Sequence, residues 1–184
     1  MEMKLGERLN NTQWIRNQAE KEAKKDVLPF PERVGQLVGI GILIIVIVFF
    51  IIHQTRPTGF FTEGFGDFGA ILLFVLLVLG MFAPLARAFF GRKNLARPID
   101  AFVTAVSVVG AIYFLARFTF DFSHFADPLP GALEFLLSWI SATFAKFILV
   151  IGIVTGPVFV VYHTIMYFAV KDRLSEPAVV PPAP

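Results

Sequence analysis

This sequence predicts an all-α membrane protein with four transmembrane helices and both termini on one side, and three observations carry that prediction. Four apolar stretches are each long enough to supply the roughly 20 helical residues that a hydrocarbon layer of about 30 Å demands. The chain is 56% hydrophobic over 184 residues, more apolar surface than a single soluble core of this size can hide. Thirteen of its sixteen Lys and Arg residues fall on one side of the four-span pattern, leaving Arg56, Arg117 and Lys146 on the other. Basic residues gather on the cytoplasmic side of membrane proteins. The expected topology is therefore N-in and C-in, a multi-pass protein with both termini cytoplasmic.

Residues 1–33 carry seven basic and six acidic side chains, with Leu5, Leu9, Ile15, Ala19, Ala23 and Val27 at loosely helical spacing. A charged cytosolic helix is expected. Trp14 and its thin apolar stripe would rest on lipid headgroups or on a partner, or the helix would simply be solvated. Pro29 and Pro31 end it. No apolar run stands ahead of a small-residue cleavage site in this segment, so the first span is expected to serve as its own targeting signal.

Span one is placed at 34–52, and His53, Gln54 and Arg56 mark its exit. Span two, 68–90, contains Gly80 and Pro84, which invite a kink, and Arg87, which would snorkel to the cytoplasmic edge. The following connection holds Arg92, Lys93 and Arg97. Asp100 stands where an N-cap would open span three, 101–120.

The last apolar stretch, 131–170, would reach about 60 Å as one helix at 1.5 Å per residue, too long for a single perpendicular span. Lys146 suggests the division. Before it, Leu133, Leu136, Leu137, Ile140 and Phe144 share one helical face, opposite Glu134, Ser138 and Ser141. That pattern predicts an outer interfacial helix over 131–145 with Trp139 at headgroup level. Span four then covers 147–168, bent at Pro157 and closed by Lys171 and Arg173. One long tilted helix bending near Lys146 is the competing arrangement. The tail, 171–184, ends in Pro-Pro-Ala-Pro and is expected to be disordered or polyproline II.

Several function classes lose support at once. The chain has no cysteine, so thiol chemistry is absent. A net charge of +2, spread along the inner edge rather than gathered in a patch, argues against nucleic acid. The spans contain no carboxylate, and no nucleotide or metal motif occurs. A solitary transporter would leave intramembrane charges, broken helices or inverted repeats, and spans one and two do not repeat in spans three and four.

What remains is packing. Gly35 and Gly39, and Gly152 and Gly156, are small-xxx-small pairs that let helix backbones approach closely. They lie at different depths, so each pair is expected to pack elsewhere than on the other. Thr104, Ser107 and Gly110 share a face of span three at about the depth of His163. An imidazole in hydrocarbon must find a partner, and a hydrogen bond from this face to His163 is expected. The alternative role for His163 is as single axial ligand to a haem or pigment. A haem between His53 and His163 is excluded, because the two stand on the order of 20 Å apart along the helices.

The outer loops interleave Phe60, Phe61, Phe65 and Phe68, and Phe118, Phe120, Phe122 and Phe125, with acidic residues. They read as an interfacial aromatic belt or as a docking surface. His53, His124 and nearby carboxylates lack metal-ligand spacing, and Arg117 and Asp121, four apart, are expected to neutralise each other.

The leading expectation is a non-catalytic integral membrane subunit. It would act as a scaffold within a larger complex of other membrane subunits, respiratory and photosynthetic assemblies being candidates. The alternatives are a homo-oligomeric channel or small-molecule transporter with its pore between copies, and a carrier of one haem, quinone or pigment through His163.

Overall fold

The apolar stretches extend as helix past the limits that hydropathy marks, because their flanking residues cap rather than break them. The computed structural model describes residues 13–56 and 58–176. Leu5, Leu9 and the Pro-Pro-Ala-Pro ending, which entered the expectations above, lie outside them. The described helices are α1 (Gln13–Lys24), α2 (Phe30–Thr55), α3 (Gly66–Phe90), α4 (Lys93–Arg117) and α5 (Ala142–Ser175), with short 3-10 turns at Phe122–His124 and Gly131–Leu136. Four of them, α2 to α5, are long and apolar enough to cross a membrane.

Pro29 and Pro31 separate α1 from α2 and also start α2, with Pro29 at the N-cap and Pro31 in the first turn, where a missing N–H costs nothing. Gly91 ends α3 in the left-handed conformation at φ 63°, its N–H donating to Arg87 O, as a C-terminal glycine does. Two expectations change here. Asp100 does not open α4, which begins at Lys93. The cap comes from another part of the chain: Asp26 Oδ1 accepts from the Asn94 N–H at 2.7 Å and Asp26 O accepts from Lys93 N–H at 2.8 Å.

The interfacial helix over 131–145 is likewise not formed. Gly131–Leu136 is a 3-10 turn, and Ser141 caps α5 by accepting from the Phe144 N–H. The apolar residues Leu133, Leu136 and Trp139 are spaced by three, a period that a 3-10 turn satisfies as well as an α-helix does. A strong N-cap at Ser141 then resets the chain. Lys146 falls inside α5, which runs 34 residues.

The helices pack mainly on their neighbours in chain order, α2 on α3, α3 on α4 and α4 on α5, with α1 laid against α5. Gly110 admits Leu76 of α3, and Gly156 admits Val108 of α4. Ile15 and Ala19 of α1 bury against Met166, Ala169 and Val170 of α5. In the most apolar stretch of α2, and likewise of α5, only 6% of the residues are buried within the chain. One end of the molecule gathers α1, the α3–α4 turn and the end of α5, hence most of the basic residues. The other end gathers the phenylalanine-rich connections.

Candidate functional site

At the basic end the sequence puts cations and carboxylates on four different elements, and packing makes them neighbours. Arg87 of α3 pairs with Asp100 of α4. Arg97 of α4 pairs with Glu22 of α1 at 2.8 Å, and Lys93 reaches Glu32 of α2 at 3.1 Å. Arg33 donates to the Ala88 and Phe89 carbonyls at the end of α3, satisfying acceptors that a helix terminus leaves open. Val27 and Arg92 form an antiparallel bridge between the two connections, in which Leu28 N–H donates to Gly91 O at 2.8 Å.

These pairs rim a cleft of about 340 Å³ that His163 and Tyr162 of α5 also line. The cleft is charge-balanced, with three cations facing three carboxylates. His163 does not receive the hydrogen bond expected from Thr104 or Ser107: among the described residues its Nδ1 is buried without a partner. Thr104 instead lies against the neighbourhood of Gly156, so the small face of α4 is spent on helix contact. Arg97, 6% exposed, likewise keeps its Nε without a partner.

The predicted packing glycines divide cleanly. A side chain at Gly110 or Gly156 would collide with Leu76 or Val108, whereas Gly35, Gly39 and Gly152 meet nothing of this chain within 4 Å.

At the opposite end the two phenylalanine-rich connections close on each other. Thr62 N–H donates to Thr119 O at 3.1 Å and Asp121 N–H to Phe60 O at 2.7 Å, around a bridge of Phe61 with Phe120. Phe60 and Phe65 are buried, and Phe61 stacks on Phe65 at 4.1 Å between ring centres. His53, 3% exposed, sits among these rings. Its Nε2 donates to the Phe125 carbonyl at 3.3 Å, which can only accept, so Nδ1 accepts from the Thr58 hydroxyl at 2.7 Å. No family model, no curated protein and no solved structure matches this chain.

The Arg117–Asp121 pair is also replaced. Phe118 turns left-handed at φ 33° and stops α4 directly after Arg117, so the four-residue helical spacing never exists. Asp121 accepts from the Ser123 hydroxyl at 2.6 Å and from its N–H at 3.0 Å, which holds its carboxyl below the usual range. Among the described residues no three His, Asp or Glu side chains converge as metal ligands. Sequence reasoning missed Asp26, Asp100 and Glu22 as partners. The available signal was that three carboxylates stand in basic stretches that the positive-inside pattern alone does not need.

Proposed function

We propose that this chain is a non-catalytic, multi-pass membrane subunit that packs into a larger membrane assembly, with both termini cytoplasmic. The single observation carrying the proposal is the division of the glycines. Gly110 and Gly156 are filled from within, while Gly35, Gly39 and Gly152 stand open on helices in whose most apolar stretches only 6% of the residues are buried. Glycine in a helix interior costs about 1 kcal/mol against alanine, and a close backbone approach by another helix offsets that cost. The orientation rests on the basic end, whose cations belong on the cytoplasmic side.

The test is to crosslink native membranes, solubilise in mild detergent and identify what remains attached. Stoichiometric membrane proteins that are lost in Gly35→Leu/Gly39→Leu, with thermal unfolding of the chain unchanged, support the proposal. A lone monomer refutes it, and crosslinks between copies alone shift the reading to a homo-oligomer.

The carrier reading keeps one point in its favour, the unpartnered Nδ1 of His163. The cleft around it, rimmed by paired ions, suits a polar group better than an apolar macrocycle. A visible absorption band lost in His163→Ala is the result that would revive it.

A further inference from the structure

Between the phenylalanine-rich connections and α5 lies a cavity of about 280 Å³ whose thirteen lining residues are all apolar, eight of them phenylalanine. Protein interiors hold few voids larger than a water molecule, and water has no partner on such a wall. Phe144 and Ile148 line it and are also 38% and 49% exposed. Two wall residues thus also reach the outer surface of α5, on the side that faces hydrocarbon if α5 spans a membrane. Beside the cavity the ammonium of Lys146 stands 4.2 Å over the ring of Phe118, itself part of the wall. Lys146 and Arg117, which adjoin wall residues in sequence, form no ion pair among the described residues. A cation that faces a ring and no carboxylate at the edge of an apolar layer is drawn to an anion.

We infer that this cavity holds one acyl chain of an anionic glycerolipid whose headgroup pairs with Lys146. The apolar wall selects hydrocarbon and the cation selects charge, so the two halves of an anionic lipid are recognised by adjacent parts of one site. The inference is independent of the open glycines and of any partner protein.

The experiment reconstitutes the full chain in phosphatidylcholine nanodiscs containing trace phosphatidylglycerol or phosphatidylcholine, each with a diazirine at the end of one acyl chain. After irradiation, adducts are mapped by mass spectrometry. Adducts are expected on the cavity wall, at Phe114, Phe118 or Leu149, and severalfold more from phosphatidylglycerol. Lys146→Gln should bring the two lipids to parity at unchanged thermal stability, and Ala145→Trp should remove the wall adducts of both. Equal labelling by the two lipids in the native chain overturns the inference. So do adducts spread evenly along α2 and α5, or a phosphatidylglycerol preference that survives Lys146→Gln. Should Ala145→Trp fail to fold, the Lys146→Gln comparison decides alone.

Discussion

A methyl group added at Gly156 lands on Val108, and one added at Gly110 lands on Leu76. Overpacking of this kind costs about 1–3 kcal/mol, which outweighs the helix propensity that alanine gains. Because Val108 is β-branched and stiff while the Leu76 methyl can swing aside, Gly156→Ala should unfold earlier in a thermal scan than Gly110→Ala, while Gly35→Ala and Gly152→Ala should be neutral or raise stability by up to about 1 kcal/mol. The four substitutions are chemically identical, so only the neighbour across the interface separates them. Composition reveals that small residues exist; it does not reveal which of them are already occupied. The same limit hid the environment of His163. Its depth could be read from its position in the span, but the residues beside it come from α1, α3 and α4, through contacts that no local period encodes. Asp121 supplies a pH test at this scale. Its carboxyl is held low first by the Ser123 hydroxyl and then by the Ser123 N–H. A depressed folded value contributes order that is complete above the ordinary carboxylate range near ~4 and fades as pH falls through the lower folded value. The Ser123 amide resonance should be constant from neutral pH to about 5 and move only in stronger acid. Movement in the neutral range that persists in His124→Gln would contradict this account.

Among the elements, the four long helices were legible because each is an uninterrupted apolar run of membrane-crossing length. Their starts were less so. The start of α4 depends on Asp26, 68 residues away from the Asn94 N–H it caps, and a cap supplied from a distance leaves no mark beside the helix. The stretch before α5 failed for another reason: spacing by three fits both a 3-10 turn and the face of an α-helix. The docking of α1 yields two predictions. Ala19 is fully buried against α5, so Ala19→Leu should overpack by about 1–3 kcal/mol and free α1, read as faster tryptic cleavage at Lys21 and Lys24. Arg97 is 6% exposed and held by Glu22, and removing one partner of a buried pair strands the other. Because the Glu22 side chain is 31% exposed, Glu22→Gln should cost about 2 kcal/mol rather than the full 3–5 kcal/mol of a deeply buried pair. An unchanged melting temperature would mean that solvent already screens the pair.

For the whole molecule, the charge distribution predicts a direction across the membrane. Since the chain has no cysteine, single cysteines can report it. A membrane-impermeant maleimide should label Glu63→Cys in intact cells and Lys93→Cys only after permeabilisation; the reverse order would invert the topology. The helix assembly is held at both ends by different means, ion pairs and distant caps at one and interlocked aromatic rings at the other. Its middle packs apolar side chains, closest where Gly110 and Gly156 admit Leu76 and Val108. Joining α1 to α5 links the first described helix to the last. During synthesis the earlier of these must therefore wait, its binding surface unmade, until the ribosome has delivered α5. Settling of that leading arm thus reports that the three intervening helices have already been made.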